Sequence, residues 1–213
     1  FLVAGVAMLG WVVWEMYGTN IGVRDDYDRQ VTELQDMWAQ GPVAAPAPAD
    51  DPAEPNPDVS DDTPLTLADS NAFALLRIPA LGLVVPIQQG TDPYSLSRGV
   101  GWETYTAKPG ELGNFVIAGH HSSHGQPFDH LQDLNAGDEY TVETKDAIYT
   151  YRLLNSPRDL TVDYRETWVT LPDPYGKTMT ATRHLGTLLT CKEVFSTPLR
   201  SIGFAELVNT QLK

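Results

Sequence analysis

The sequence predicts a mostly-β fold for residues 72–213, with one or two short helices between the strands. Short runs rich in Val, Ile, Leu, Thr and Tyr follow one another, among them NFVIAG, EYTVET, AIYTYRLL, ETWVTL and HLGTLLTC. Gly, Pro, Asn and Asp separate these runs, as they do in all-β domains whose strands are joined by turns. FDHLQDL is the best candidate for a short helix. Hydrophobic residues make up 42% of the chain, which is enough for a core of this size.

The first stretch of the chain, FLVAGVAMLGWVVW, carries no charge before Glu15. A spanning helix needs about 20 apolar residues, and Trp11, Trp14 and Tyr17 cluster where an aromatic belt would meet a membrane surface. The chain starts with Phe, so we interpret residues 1–18 as the trimmed remainder of a transmembrane anchor. A signal peptide is the alternative, but no small-residue cleavage site follows the apolar stretch.

Residues 19–71 are predicted to join this anchor to the β domain. Val31, Leu34, Met37 and Trp38 recur at helical spacing, which fits either a short amphipathic helix over residues 24–39 or a solvated stalk. The segment 41–64 contains seven prolines and six acids but neither a base nor an aromatic residue. Such a segment cannot bury enough apolar surface to fold, so we expect a disordered linker.

Charge and cysteine content exclude several classes of function. The formal net charge of −14 argues against general nucleic-acid binding, because phosphate backbones are bound by clustered Lys and Arg. The acids of residues 41–64 supply part of this charge. The single cysteine rules out an internal disulfide framework and a cysteine-based zinc cluster.

That cysteine, Cys191, follows the run LGTLLT, so a strand would carry it to the rim of a sheet. Most lone cysteines are small buried hydrophobes. Arg200 lies nine residues further on, just before SIGFAELV, and two neighbouring strands could bring thiol and guanidinium together. A cationic neighbour favours the nucleophilic thiolate. The sequence therefore leaves a structural and a catalytic cysteine both open.

A cysteine nucleophile also needs an acid–base partner, which is most often histidine. His120, His121, His124 and His130 all fall within VIAGHHSSHGQPFDH, and His120 ends an apolar run. Two strand ends could thus bring His120 and Cys191 to the same rim. A zinc site is the alternative for this cluster, but the segment is loop-like and lacks the Glu of the metalloprotease helix motif. We therefore predict no metal.

Together these residues resemble the sortase family, the cysteine transpeptidases of Gram-positive cell surfaces. The signature TLxTC is matched at residues 187–191, and Arg200 follows it. The blocks IPALGLVVPIQQGT, PGELGN and PFDHLQDLNAGDEYTV occur in the order and spacing of the family, so the resemblance covers residues 73–213. It implies a closed eight-stranded sortase-type β-barrel, with the catalytic groove at one rim and no cofactor.

The resemblance also implies roles for individual residues. Cys191 would attack the Thr carbonyl of an LPxTG/LAxTG-like sorting signal, His120 would protonate the leaving Gly amine, and Arg200 would stabilise the oxyanion. The acyl group would then pass to an amine of a peptidoglycan precursor, in an enzyme held at the membrane with its catalytic domain outside the cell. Residues expected to bind substrate are Thr190, His124 and Trp168.

Within the family the blocks are most similar to class E, a housekeeping type of actinobacteria. The chain departs from class E at His121 and His124, where that class commonly has Arg and Tyr. One alternative is a class C-like pilin polymerase, whose lid motif is matched only poorly by Asp92-Pro93-Tyr94. A second is a catalytically inactive β-barrel binding module with a structural Cys191.

Overall fold

The computed structural model describes residues 5, 6, 10, 22–40, 71–192 and 197–213. The predicted linker at 41–64 lies outside these residues, as does most of the predicted anchor at 1–18. In the part of the chain that is described, no helix is both long and apolar enough to cross a membrane. The predicted anchor therefore stays a prediction.

The described residues form nine strands and two α-helices. The helices are α1 (Val23–Ala39) and α2 (Pro93–Leu96). The strands are β1 (Ala72–Ile78), β2 (Leu83–Gln89), β3 (Val100–Trp102), β4 (Gly113–Ala118), β5 (Glu139–Glu143), β6 (Ala147–Leu153), β7 (Thr161–Asp163), β8 (His184–Cys191) and β9 (Leu199–Leu212). Single 3-10 turns cover Pro79–Leu81, Leu131–Asp133 and Thr167–Thr170.

Eight of these strands close into a barrel. The order β6-β5-β1-β2-β3-β4-β8-β9 returns to β6, because the long β9 pairs with β8 on one edge and with β6 on the other. The short β7 lies outside the ring and pairs with the first residues of β9, Leu199–Ser201. The predicted closed eight-stranded barrel is confirmed, and β7 is an addition to it.

Two of the strand pairs are parallel, and in each pair the C-terminal ends of both strands lie at the same edge of the sheet. β2 pairs with β3, and β4 pairs with β8 from Gly113↔His184 to Ala118↔Leu189. The other neighbours in the sheet run antiparallel. Since parallel strands end at the same edge of a sheet, β4 and β8 deliver the residues that follow them to one rim.

Large side chains fill the interior of the barrel. Tyr140 and Tyr151 are both buried and stack with their ring centroids 5.2 Å apart. Gly186 on β8 makes room for them, because a Cβ at that position would collide with the Tyr140 hydroxyl and the Tyr151 ring. Close packing of this kind leaves little freedom to the strands that carry the rim.

Helix α1 docks on the barrel wall, so the solvated-stalk interpretation was wrong. Tyr27, Gln30 and Leu34 are buried, and they share one face of the helix at spacings of three, four and seven residues. Gln30 Oε1 accepts a bond from Gln88 Nε2 of β2 at 3.1 Å. The predicted apolar stripe identified Leu34 correctly, but Met37 is exposed.

Candidate active site

The ends of β4 and β8 are joined by two hydrogen bonds beyond the parallel ladder. Gly119 N donates to Leu189 O at 3.1 Å, and the Thr190 hydroxyl donates to Gly119 O at 2.8 Å. These bonds continue the pairing past Ala118, so His120 emerges beside the strand end that carries Cys191. The predicted meeting of the two strand ends at one rim is confirmed.

Arg200 lies directly across from Cys191. The two residues are register partners in the antiparallel β8–β9 pair, so their side chains share one face of the sheet. The preceding partners, Thr190 and Ser201, are fully buried. Because side chains alternate along a strand, Cys191 and Arg200 point away from the interior. Arg200 Nη1 is held by the carbonyls of Thr197 and Leu199, at 2.8 Å and 3.1 Å.

His120 is half-buried and stacks on His124, with ring centroids 4.9 Å apart and an angle of 27° between the planes. Burial, and then the charge that His124 can carry, lower the pKa of His120 from 6.5 to about 4. The imidazole is therefore neutral at neutral pH and can accept a proton from a neighbouring thiol.

The histidine cluster does not form a metal centre among the described residues. No group of three or more His, Cys, Asp or Glu side chains is arranged there to hold an ion. His130 instead lies at the surface, where its Nδ1 is 2.9 Å from Asp133 Oδ2. The zinc alternative thus has no support from the geometry.

An open groove of ≈ 210 Å³ begins beside Arg200 on the outer face of β8 and β9. Leu189 and Ile202 from these strands contribute apolar surface, and Val162 of β7 and Val169 of the following turn continue it. The groove is thus lined by side chains on the face that carries Cys191 and Arg200. Arg200 lines the groove, whereas Cys191, its register partner, does not.

A single buried side chain fastens the wall of this groove to the barrel. Asn114 Nδ2 of β4 donates to the carbonyls of Val169 and Leu171, at 3.0 Å and 3.1 Å. Its Oδ1 accepts the hydroxyl of Thr187 from β8 at 2.7 Å. ETWVTL, expected to be a strand, forms a 3-10 turn instead, and two of its carbonyls bond to Asn114 rather than to a neighbouring strand.

Comparison with known proteins identifies this arrangement. The family model described as Sortase domain matches residues 76–208, more than half of the chain. The chain belongs to the sortase family. Sortase SrtE1 of Streptomyces coelicolor is 30% identical to this sortase over 220 residues, covering 98% of this chain and 55% of SrtE1. The chain therefore spans about half the length of that relative.

Solved sortase structures share the fold. Sortase E from Streptomyces avermitilis has a TM-score of 0.60 and 30% identity, covering 67% of this sortase and 91% of that chain. Sortase E1 from Streptomyces coelicolor, solved with a tripeptide in its active site, has a TM-score of 0.59 and 31% identity, with coverage of 67% and 91%. The predicted similarity to class E is confirmed.

None of the three predicted substrate-binding residues of this sortase lines the groove, and His124 stacks on His120 instead. Thr190 is fully buried beneath the site, where its hydroxyl bonds Gly119 O. Trp168 packs against Phe204, with ring centroids 5.9 Å apart, while its neighbours Thr167 and Val169 line the groove. The turn that carries Trp168 follows β7 and lies between the barrel strands β6 and β8. Substrate contacts by Thr190, Trp168 and His124 remain predictions.

Sequence reasoning missed two residues that support the site. Asn114 sits inside the PGELGN block, but nothing in its surroundings in the sequence showed which carbonyls it would bind. Tyr27 lies outside the predicted apolar stripe of Val31, Leu34, Met37 and Trp38. The spacing Tyr27, Gln30, Leu34 could have revealed the buried face of α1, had Gln30 been accepted as a buried residue.

Proposed function

We propose that this sortase is a cysteine transpeptidase that cleaves an LPxTG/LAxTG-like sorting signal between Thr and Gly and transfers the acyl group to an amine. The observation that carries the proposal is the register of three strands. Cys191 lies opposite Arg200, and the parallel β4–β8 pair brings His120 to the same rim. Nucleophile, base and cation thus share one rim, and a groove begins at Arg200.

In the first step Cys191 attacks the carbonyl carbon of the Thr residue. The neutral imidazole of His120 takes the thiol proton as the bond from sulfur to carbon forms. Negative charge moves to the carbonyl oxygen, and Arg200 is the cation placed to stabilise it. Its guanidinium is already fixed by two backbone carbonyls, so little reorganisation is needed when the charge develops.

Collapse of this intermediate breaks the bond between Thr carbon and Gly nitrogen and leaves a thioester on Cys191. A low pKa makes protonated His120 a strong acid, so it gives its proton readily to the departing amine. An incoming amine then attacks the thioester, His120 accepts the proton of that amine, and the thiolate leaves. The thioester preserves the acyl activation between the two halves of the reaction.

The substrates follow from the family. The tripeptide in the active site of sortase E1 supports a peptide substrate for this chain as well. A peptidoglycan-precursor amine is the second substrate in the housekeeping role. An apolar N-terminal stretch at residues 1–18 supports a single-pass location at the cell membrane, with the catalytic domain outside. These substrates and this location are part of the proposal.

The test is a transfer assay with the 213-residue chain. LPxTG- and LAxTG-containing peptides are incubated with triglycine, a diaminopimelate-bearing stem peptide or a lysine-bearing pilin peptide, and the products are identified by mass spectrometry. We expect transfer by the wild type and at least a roughly 10³-fold loss in Cys191→Ala, since the nucleophile is gone. Arg200→Lys should lose roughly 10²-fold in kcat, because it keeps charge but not the fixed fork.

Each outcome of this assay decides something. Cleavage and transfer that persist in Cys191→Ala would overturn the mechanism, and absence of any product in the wild type would favour the binding module. Transfer to the lysine peptide alone would replace the housekeeping role with pilin polymerisation. Arg158→Lys is the matched control for Arg200→Lys, because the Arg158 guanidinium likewise bonds nearby acceptors, the Ser156 hydroxyl and the Asp133 carbonyl.

A further inference from the structure

We propose that α1 belongs to the catalytic unit and that Tyr27 is a positioning residue for the general base His120. Tyr27 would act by fixing the loop 121–127, which directly follows His120. The inference rests on the function proposed above. It assigns a part in the reaction to a helix that the sequence places before the linker, outside the predicted catalytic domain of residues 72–213.

Tyr27 makes the central contact between the helix and this loop. It is 4% exposed, and its hydroxyl donates to the backbone carbonyl of His124 at 2.5 Å. Its ring packs on Gly125 so closely that a Cβ on Gly125 would lie 2.9 Å from Tyr27 Cε2. Burial raises the pKa of Tyr27 far above its usual value, so the phenol remains a hydrogen-bond donor at every working pH.

Arg24, one helical turn before Tyr27, adds two contacts to the same loop region. Its Nε donates to Gly125 O at 3.3 Å, and its Nη2 lies 3.8 Å from Asp129 Oδ2. The Arg24 side chain is largely exposed, so this ion pair contributes little to stability. The buried bond from Tyr27 is therefore the main constraint.

The backbone of the loop requires such a constraint. His124, Gly125 and Gln126 have φ angles of 51°, 76° and 53°, three successive residues in the left-handed region. For residues other than Gly this conformation is unfavourable and persists where surrounding contacts enforce it. Tyr27 and Arg24 bond to carbonyls at the first two of these positions.

The loop in turn reaches the base through His124. Its ring stacks on the ring of His120, so the Tyr27 hydroxyl, the His124 backbone and the two imidazoles form one continuous chain of contacts. A general base must lie within hydrogen-bond reach of its proton, so a displaced loop reduces catalysis. Neither α1 nor the loop lines the groove, so peptide binding should be unaffected.

The experiment uses Tyr27→Phe in the 213-residue chain, which keeps the ring and removes only the hydroxyl. We expect kcat for peptide transfer to fall roughly 5- to 20-fold while KM stays within about twofold, because small displacements of a catalytic group are costly and the groove is intact. The pKa of His120, followed by imidazole NMR, should rise as the ring gains water and separates from His124. Other titratable or charged groups on the segments that meet here include His121, Asp129, Cys191, Lys192 and Arg200 at the rim and Arg24 and Asp28 on α1.

Tyr151→Phe is the matched control. Tyr151 is also a buried tyrosine whose hydroxyl bonds a backbone group, in this case Gly110 N at 2.8 Å, inside the barrel. We expect it to lower the melting temperature as Tyr27→Phe does, with kcat and the His120 pKa close to wild type. A Tyr27→Phe enzyme with wild-type kcat and His120 pKa overturns the inference. Equal losses of kcat in the two variants overturn it as well.

A second variant approaches the contact from the loop side. Gly125→Ala places a methyl group against the Tyr27 ring and should lower kcat without changing KM. The same substitution in a Tyr27→Leu background should cost less, because the ring it would strike is gone. Additive effects contradict the inference. Failure of the proposed function itself looks different, since the wild type would then transfer nothing.

Discussion

The neighbouring histidines His120 and His124 show how one contact can serve two steps of a reaction. Burial and the stacked His124 make His120 a weak base, which keeps it neutral and ready to accept a proton at neutral pH. The same environment makes its protonated form a strong acid toward the leaving amine. A base with the ordinary pKa would be partly protonated near pH 6.5 and partly unavailable.

This low pKa predicts a pH dependence of stability. In the unfolded chain His120 binds a proton near pH 6.5, whereas in the folded protein it does so only near about 4. Between these values the unfolded state binds more protons, so the contribution of His120 lowers the free energy of unfolding as pH falls through this window. Urea denaturation at pH 7.5 and pH 5 should therefore show a smaller loss in His120→Gln than in the wild type.

The matched control for this measurement is His184→Gln at the other end of β8, where the imidazole Nδ1 is 3.0 Å from Gly110 O. The reduction seen in His120→Gln should exceed any change seen in this variant. A His120→Gln protein with the full wild-type difference would show that His120 does not titrate as described.

At this scale the sequence predicted the identities of the reactive groups better than their surroundings. Cys191, His120 and Arg200 could be found because each lies next to an apolar run, and strand ends are visible in a sequence. The sequence did not show that the Thr190 side chain faces the core, because a shift of one register position decides whether a side chain faces the core or the groove. The contact with Tyr27 spans 97 residues of chain and leaves no local pattern.

Among the structural elements, the turn Thr167–Thr170 depends on Asn114. This asparagine is 1% exposed, and its amide bonds two carbonyls of a segment that has no ladder partner of its own. Buried carbonyls that lose their donors cost free energy, so the amide stabilises the turn together with the packing of Val169 and Trp168 on Phe204.

Asn114→Ala should therefore impair both stability and peptide binding. We expect a loss of about 2–3 kcal/mol in the free energy of unfolding, because the Val169 and Leu171 carbonyls and the Thr187 hydroxyl all lose their partner. KM for the sorting peptide should rise several-fold, since Val169 and Thr170 line the groove. Chemical denaturation and steady-state kinetics measure the two effects.

Ser156→Ala is the control for this variant. Ser156 is likewise buried, and its hydroxyl donates to Leu134 O at 2.6 Å, but it is not part of the groove lining. It should lose stability with KM unchanged. An Asn114→Ala enzyme with wild-type KM would separate the turn from substrate binding.

Elements were predictable where side-chain alternation or spacing reflected burial. β4, β5, β6 and β8 coincide with apolar runs of the sequence. ETWVTL has the composition of a strand but no partner strand, and hydrogen bonds from Asn114 made it a turn. For α1 the residue spacing indicated a helix but not the face that docks on the barrel, because that face includes a buried polar residue, Gln30.

For the whole molecule, barrel closure depends on the last part of β9. Residues Asn209–Leu212 pair with Ala147–Thr150 of β6, and Lys213 Nζ contacts Glu143 Oε1 at 2.8 Å. Composition predicted an all-β domain, but closure came only from the family resemblance, because no local pattern shows which two edges will meet.

Deleting residues 208–213 should shorten this seam, because only the pairs from Tyr151↔Leu207 to Leu153↔Ala205 remain between β6 and β9. We expect the free energy of unfolding to fall by about 3 kcal/mol or more, since several ladder hydrogen bonds are lost at about 0.5–1.5 kcal/mol each. Lys213→Ala is the control and should cost no more than about 2 kcal/mol, as a partly exposed ion pair and a cation–π contact with Trp38 are removed. Equal effects of the two changes, measured by urea denaturation, would place the stability in the contacts of Lys213.

The parallel pairing of β4 with β8 also makes the spacing of His120 and Cys191 independent of loop length. A hairpin would have tied His120 to Cys191 through a turn of fixed size, whereas a parallel pair accepts any crossover long enough to return to the starting edge. Residues 119–183 make that crossover and include the turn that borders the groove. Under the proposed function, exchanges in the part that borders the groove, the turn Thr167–Thr170, would change which peptide is accepted while β4 and β8 keep His120 and Cys191 at one rim. That turn is therefore the natural place to graft a new specificity.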